Sequence, residues 1–264
     1  MDAISKNVKD YELSRYASAK YASGFLDTNT YVLEEDGHLL IIDPADHAAL
    51  LERCRKAATV TVLLTHEHFD HISGLNRIRE LCASSCCVIA GAVCSEQIQD
   101  AKANLSAYAD VLAELGGKQI PEPWSPFSCK AADITFDDRY ALRWMGHRVE
   151  LFSTPGHSAG SCCIVLDDML FVGDTVLENN LMVKFPGSSK KLYRSVTAPL
   201  LERLLVGECK SQAEFDAEKL ATEELRLGET LSGELLQGTR VTRVYPGHGD
   251  VMSPEVALKL IRGV

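Results

Sequence analysis

The sequence Thr65-His66-Glu67-His68-Phe69-Asp70-His71 places three histidines and an aspartate within six residues. It directly follows the apolar run Val60-Thr61-Val62-Leu63-Leu64, a pattern that predicts a buried β-strand. Because α/β folds carry their chemistry at the ends of strands, the motif predicts a functional site. Imidazoles with a carboxylate suit zinc or a similar metal, whereas calcium and magnesium prefer oxygen ligands alone. A chance cluster of surface histidines is the alternative, and it is disfavoured because the rest of the chain supplies further ligands.

Four further apolar runs end in the same way, with a glycine or proline beside a polar residue. Glycine and proline at these places allow a sharp exit of the chain, which presents the next side chain at the edge of a sheet. Five of the chain's eight histidines belong to this pattern. The four runs deliver Asp43 before Pro44, His157 after Thr154-Pro155-Gly156, Asp174 after Gly173, and His248 after Tyr245-Pro246-Gly247.

On these residues the chain resembles the metallo-β-lactamase superfamily from about Tyr31 to Pro254. The order, the residue types and the flanking motifs match that family's five-part signature, with Asp43 as its opening motif. The resemblance implies fold class α/β, a four-layer αβ/βα sandwich, with a binuclear metal centre. It implies that His66, His68 and His157 hold one metal, that Asp70, His71 and His248 hold the other, that Asp174 bridges the two, and that Asp43 supports the ligands from behind.

The ligand set that the resemblance implies fits a hydrolytic site. Three protein ligands and a shared carboxylate leave each metal an open position, where a bridging hydroxide would bind. Two dications lower the pKa of this water enough to make it a nucleophile near neutral pH, so no separate general base is required. The resemblance also suggests that Asp70 orients the hydroxide, which would make Asp70 a catalytic residue. Zinc is the expected metal, with iron and manganese left open.

The spread of the predicted ligands along the chain favours one globular domain over residues 1–264. The predicted ligands extend from Asp43 to His248, so a single site needs both halves of the chain. Residues 205–238 are predicted to form a helical insert, because Ser211 begins a capping box and the helical pattern continues to Leu227. The net charge of −10 opposes a nucleic-acid surface, which carries an excess of lysine and arginine.

The cysteines and the first twenty residues predict a cytoplasmic protein. Nine cysteines are an odd number, and the adjacent pairs Cys86-Cys87 and Cys162-Cys163 are typical of reduced thiols rather than disulfides. Cys82 with Cys86-Cys87 could form a second metal site, but packing on a helix end and a strand is the favoured interpretation. The first twenty residues lack the apolar core of a signal peptide, and no segment has the length of a membrane span.

The segments between the motifs supply the candidate substrate-binding residues. Apolar residues spaced by three and four predict an amphipathic helix over Gln97–Leu115, and a stretch rich in proline and aromatic residues follows it. A basic cluster after Asp174 suits a carboxylate or a phosphate, with a solvated surface as the equal alternative. The candidates are Tyr108, Trp124, Lys184, Lys190 and Tyr193, each with ordinary packing or surface exposure as its alternative.

A binuclear metal-dependent hydrolase that acts on ester or thioester bonds is the function that the sequence predicts. A glyoxalase II-like thioesterase with a small-molecule acyl substrate comes first. A lactonase of the same fold is the alternative, since glyoxalase II has a helical extension that contacts glutathione, and only sixteen residues follow His248. A phosphodiesterase or ribonuclease, an iron sulfur dioxygenase and a non-catalytic module are less favoured. No nucleic-acid or membrane partner is expected, and a homodimer is left open.

Overall fold

The computed structural model describes residues 8–9, 17–22, 27–115, 124–178, 186–207 and 240–264. The chain divides into two compact units, Met1–Thr135 with Gly247–Gly249, and Phe136–Pro246 with Asp250–Val264. Strands and helices occur in both units, as the predicted α/β class requires. A single domain over residues 1–264 stays a prediction. Most of the predicted insert, from residue 208 onward and including the helix predicted from Ser211 to Leu227, lies outside the described residues.

The sheet of the first unit brings the ends of two neighbouring strands together. Its strands, in spatial order, are β1 Val8–Lys9, β2 Ala17–Ala22, β3 Asn29–Glu35, β4 His38–Ile42, β5 Thr59–Leu63, β6 Cys86–Gly91 and β7 Ile134–Phe136. β5 pairs parallel with both β4 and β6, so these strands end at the same edge of the sheet. Asp43 directly follows β4, and its N–H donates to Leu63 O at the end of β5. Asp43 therefore lies at the sheet edge from which the histidine motif emerges.

The helices of the first unit cover its sheet with apolar side chains. They are α1 Ala48–Lys56, α2 Phe69–Ile72, α3 Leu75–Cys82, α4 Ala92–Gln97 and α5 Ala109–Leu115, with 3-10 turns at Ala83–Ser85 and Ser106–Tyr108. His47 caps α1, since its Nδ1 accepts a hydrogen bond from Ala49 N at 3.2 Å. Leu50 of α1 and Ile78 of α3 are fully buried in one core cluster with the strand residues Val60 and Val62. This packing fixes the strand ends from which the motif emerges.

The prediction of a continuous helix over Gln97–Leu115 is wrong, because turns separate α4 from α5. Leu105 has a φ of +66°, a left-handed conformation through which a right-handed helix cannot continue. The buried Asn104 side chain holds this turn: its Oδ1 accepts from Ser106 N at 2.8 Å, and its Nδ2 donates to Phe127 O at 2.9 Å. The spacing of apolar residues carries no information about these side-chain bonds.

The second unit contains the strands predicted before the remaining ligands. Its sheet consists, in spatial order, of β12 Arg243–Pro246, β11 Met169–Gly173, β10 Cys162–Leu166, β9 His147–Ser153 and β8 Arg139–Trp144. Its helical elements are α6 Lys190–Leu192, a π-helical turn Tyr193–Thr197, α7 Ala198–Val206 and α8 Pro254–Arg262. β11 and β12 pair parallel, and the other neighbours pair antiparallel. Within the described parts of both units, every helix is too short or too polar to cross a bilayer.

Cys82, Cys86 and Cys87 occupy the positions predicted for packed thiols. Cys82 ends α3, and the other two begin β6. Burial raises the pKa of Cys86 to about 12 and that of Cys87 to about 11, so both thiols stay protonated near neutral pH. Metal-binding cysteines are thiolates, and the groups of candidate metal ligands among the described residues contain no cysteine. Packing is therefore the interpretation that the structure supports.

Candidate metal centre

The candidate ligands of the central motif are buried side chains of the first unit. The chain leaves β5 and turns into α2, where Phe69 N donates a hydrogen bond to Asn104 O at 2.8 Å. Buried ionisable groups need partners or metal ions to offset the loss of hydration. The exposed fractions are 1% for His66, 5% for His68, 8% for Asp70 and 0% for His71.

Asp70, His71 and His248 come together in the first unit from distant points of the sequence. Asp70 Oδ2 lies 3.4 Å from His71 Nε2 and 3.3 Å from His248 Nε2. In a tetrahedral zinc site with ligand bonds of about 2.0–2.1 Å, neighbouring ligand atoms lie about 3.3–3.4 Å apart. The observed spacing therefore fits a single ion held by these three side chains, with a position left for water or substrate.

His66 and His68 lie close to this group in the same unit. The centroid of the His66 ring is 4.6 Å from that of His68 and 4.1 Å from that of His71. His66 also forms, with Asp43 and His71, a set whose ligand atoms all lie within 4.8 Å of one another. The motif thus concentrates more nitrogen and oxygen donors than one open metal site uses, which fits the predicted pair of ions.

Asp43 fixes the ring nitrogens of two of these histidines. Its Oδ1 accepts from Thr65 N at 2.7 Å, and its Oδ2 accepts from Thr65 Oγ1 at 2.5 Å and lies 2.9 Å from His71 Nδ1. Since the threonine hydroxyl gives its only proton to Asp43, it accepts from His66 Nδ1, which is 3.0 Å away. Both imidazoles therefore carry their proton on Nδ1, and the lone pair of Nε2 would be the one offered to a metal ion. The supporting role predicted for Asp43 rests on these hydrogen bonds and stays a prediction.

His157 and Asp174 are the candidate ligands of the second unit. Asp174 directly follows β11, and His157 lies in the turn after β9. His157 Nε2 is 3.7 Å from Asp174 Oδ2, and the two residues are 1% and 8% exposed. The structure thus places both side chains at buried strand ends, as predicted, and their assignment to particular metal ions stays a prediction.

Tyr193 packs against Gly156, the residue before His157, and has no exposed surface. A Cβ atom added to Gly156 would lie 2.8 Å from Tyr193 Cβ and 2.9 Å from its Cδ2, so only glycine fits under this ring. Burial raises the pKa of the Tyr193 hydroxyl well above its usual range. We therefore assign Tyr193 the packing role that the sequence left open, rather than contact with a substrate.

The other substrate candidates occupy different surroundings. Tyr108 is 45% exposed. Trp124 donates from Nε1 to Ser106 O at 3.1 Å and contacts Phe69 of the motif edge to face, with ring centroids 5.6 Å apart. In the second unit, Lys190 lines an open surface cavity of about 510 Å³ together with Lys191, Arg194 and Ser195. Lys184 lies outside the described residues.

Sequence reasoning missed the residues that support the group Asp70, His71 and His248. Thr28 Oγ1 donates to Asp70 Oδ2 at 2.7 Å, and Thr28 forms a β-bridge with His248. Asn29 N donates to Gly247 O at 2.6 Å. A polar pair at the start of an apolar strand was the available signal, but strand periodicity alone gives such residues no partner.

Comparisons with known proteins agree with the predicted fold. The model of the metallo-beta-lactamase superfamily matches residues 23–206. A protein named hydroxyacylglutathione hydrolase, from Klebsiella pneumoniae, is 28% identical over 174 residues, which cover 65% of this chain and 56% of that protein. The chain thus spans little more than half the length of the curated relatives it matches.

Solved structures with this fold confirm the predicted fold class. The B3 metallo-beta-lactamase BLEG-1 superposes with a TM-score of 0.60 and 23% identity, over 90% of this chain and 94% of that one. The protein TTHA1623 in a di-iron-bound form superposes with a TM-score of 0.54 and 22% identity, over 91% and 97% of the two chains. At these identities the likeness establishes the fold alone, and the activity has to be argued from the residues of the site.

Proposed function

The chain belongs to the metallo-beta-lactamase superfamily, and on that basis we propose that it is a binuclear metal-dependent hydrolase that cleaves a thioester. The observation that carries the proposal is the spacing of Asp70 Oδ2 from the Nε2 atoms of His71 and His248, 3.4 Å and 3.3 Å. That spacing suits three ligands around one ion. By the sequence motif, His66, His68 and His157 are proposed to hold the second ion, and Asp174 to serve both.

The roles that we propose for Asp43, Thr65 and Asp70 follow from their hydrogen bonds. The metal ions, when bound, supply a water of lowered pKa and a positive charge for the developing oxyanion. Asp43 and Thr65 hold the His71 and His66 rings so that Nε2 stays available. Asp70 is a ligand and, in this proposal, the catalytic residue that orients the attacking water by accepting its hydrogen bond. Because the nucleophile is already acidified, the site needs no further general base.

A thioester is the proposed substrate because the curated relatives that the chain matches are named hydroxyacylglutathione hydrolase, and a hydroxyacylglutathione is a thioester. A thiolate is a good leaving group, so attack on the acyl carbon is the step that the site must promote. Trp124, with one edge against Phe69, is the proposed aromatic wall of the acyl pocket, and Tyr108 is a second candidate. Lys190, in its basic surface cavity, is proposed to contact an anionic part of the carrier.

Zinc is the proposed metal, since two or three imidazoles with one carboxylate are a usual zinc ligand set. Iron and manganese accept the same donors, and the solved di-iron-bound structure shows that this fold holds iron in another protein. Metal content of the protein purified without chelators, measured by mass spectrometry, distinguishes them. Zinc in excess of iron and manganese supports the proposal, and iron in excess of zinc overturns this part of it.

The test of the function is hydrolysis of S-lactoylglutathione by the zinc-loaded protein, with a chelator-treated sample beside it. We expect turnover that the chelator abolishes and that zinc restores. The variant His248→Ala removes one ligand and is expected to lower kcat/KM at least about 100-fold. His38→Ala is the matched control. His38 begins β4, at the end of that strand opposite to Asp43, and its Nδ1 lies 2.7 Å from Thr59 Oγ1 of β5, so this variant should leave turnover unchanged.

A panel of lactones and β-lactams accompanies this assay. Turnover of lactones without turnover of the thioester overturns the substrate assignment and keeps the metal-dependent hydrolase. A fully metallated protein that cleaves none of these substrates overturns the proposed function and favours a non-catalytic binding module.

A further inference from the structure

Thr28 contacts two of the three residues in the group Asp70, His71 and His248. Its hydroxyl donates to Asp70 Oδ2 at 2.7 Å, and its backbone pairs with His248 in an isolated antiparallel bridge. Thr28 is fully buried and Asp70 is 8% exposed. A hydrogen bond between a hydroxyl and an ionised carboxylate at this distance is a strong one, and burial shields it from competition by water.

The bond limits how the Asp70 carboxylate can turn. Asp70 Oδ2 is also the atom nearest to the ring nitrogens of His71 and His248, 3.4 Å and 3.3 Å away. A threonine side chain is stiff because two heavy atoms branch from Cβ, so its hydroxyl is a fixed point. It holds the carboxylate plane in the orientation that faces both imidazoles.

The position of Thr28 itself does not depend on its hydroxyl. The next residue, Asn29, donates from its backbone N to Gly247 O at 2.6 Å and from Nδ2 to Gly249 O at 2.9 Å. Lys20 Nζ, from the neighbouring strand β2, donates to the same Gly249 carbonyl at 2.5 Å. Two of these bonds join the chain on both sides of His248 to the start of β3, and the third joins Gly249 to β2. Removing the Thr28 hydroxyl should therefore leave the backbone and the His248 loop in place.

We propose that Thr28 is a positioning residue for the metal ion held by Asp70, His71 and His248, an inference that rests on the ligand assignment of the proposed function. Its hydroxyl orients Asp70 and thereby sets how tightly and with what symmetry this ion is bound. The ion at the other position keeps its own ligands and is unaffected by the change. Groups in this supporting position around a metal typically contribute 10-fold to 100-fold to its affinity.

The test compares Thr28→Val with Thr28→Ser by competition titration against a chromophoric zinc chelator, and by visible absorption of the cobalt-substituted proteins. In Thr28→Val we expect one of the two ions to bind about 10-fold to 100-fold more weakly, with a changed intensity of the cobalt d–d bands. Thr28→Ser retains the donor and is expected to restore affinity to within about 3-fold, with the wild-type spectrum. Two wild-type affinities and a wild-type spectrum in Thr28→Val overturn the proposal.

Thr61→Val is the matched control. Thr61 is a buried threonine of β5 whose Oγ1 has no hydrogen-bond partner among the described residues, so this variant should bind both ions normally. Thermal unfolding of the metal-free proteins by circular dichroism checks folding, and Thr28→Ala replaces Thr28→Val if the latter is unfolded. Wild-type protein that binds fewer than two ions contradicts the proposed function, whereas two ions with unaltered affinity in the Thr28 variants contradict only this inference.

Discussion

Asp43 Oδ2 lies 2.9 Å from His71 Nδ1, and both side chains are almost completely buried. The contact sets the tautomer of His71, because an ionised carboxylate can only accept and Nδ1 must donate. Through the Thr65 hydroxyl, the same carboxylate oxygen also sets the tautomer of His66. One aspartate at the end of β4 thus prepares two imidazoles for metal binding.

Asp43→Asn tests this role of the carboxylate. The amide offers an N–H to His71 Nδ1, which moves the imidazole proton to Nε2 and removes a metal ligand. We expect about 10-fold to 100-fold weaker zinc binding in a competition titration. The backbone should tolerate the change, because Asp43 has a φ of +53° and asparagine adopts this left-handed region readily.

The control for Asp43→Asn is Asp36→Asn. Asp36 also has a positive φ, 48°, but it is exposed in the turn between β3 and β4. This variant should bind zinc as tightly as the wild type. Equal zinc affinities for Asp43→Asn and the wild type would show that Asp43 does not act through the ligands.

Gly156→Ala tests the packing that holds the turn before His157. The new Cβ would lie 2.8 Å from Tyr193 Cβ, closer than packed carbon atoms approach, so the turn or the π-helical segment must shift. We expect the free energy of unfolding, measured with urea, to fall by about 1–3 kcal/mol. Gly263→Ala is the control, because its Cβ would approach backbone oxygens only to 3.4 Å. Equal stability of the two variants would contradict the close approach of Tyr193.

Cys163 makes stability depend on pH in the alkaline range. Burial raises the pKa of this thiol from 9.0 to about 12, and hydrogen bonds from Thr154 and Thr175 only partly oppose the rise. As pH rises, the unfolded state therefore loses the thiol proton first. The contribution to stability is fully present below about pH 9 and is lost progressively between about pH 9 and pH 12.

The measurement is the free energy of unfolding of wild type and Cys163→Ala at pH 8.5 and pH 10.5. For each pH unit above the pKa of the unfolded thiol, a single buried thiol lowers the free energy of unfolding by about 1.4 kcal/mol. We expect the wild type to lose about 1–2 kcal/mol more than Cys163→Ala over this range, since other titrating groups are common to both proteins. Parallel losses in the two proteins would mean that the Cys163 thiol already ionises in the folded state.

The strands and the positions of the candidate ligands were predictable because each is encoded locally. Val60–Leu64 is continuously apolar, as a strand with two covered faces must be, and β5 occupies Thr59–Leu63. The Pro-Gly sequences before His157 and His248 mark strand ends, because proline and glycine allow the chain to leave a strand sharply. Residue type and position were therefore sufficient to find the motif, its partner Asp43 and the α/β class.

The parts that the sequence did not predict depend on contacts between distant segments. The helix predicted over Gln97–Leu115 is interrupted because Asn104 bonds to Phe127 O, a residue on a later loop. Thr28 contacts Asp70 because the chain that enters β3 passes within hydrogen-bond distance of the motif. Tyr193 packs on Gly156, which lies far from it in the sequence, and its residue type alone does not predict this contact. None of these relations leaves a periodic trace in the chain.

Turnover of S-lactoylglutathione as a function of zinc equivalents per chain, with bound zinc measured in the same samples, tests the binuclear hydrolase most directly. Starting from metal-free protein, we predict that activity rises until two equivalents are bound and then stays constant. Binding that stops at one equivalent, or two bound equivalents without hydrolysis, would contradict it.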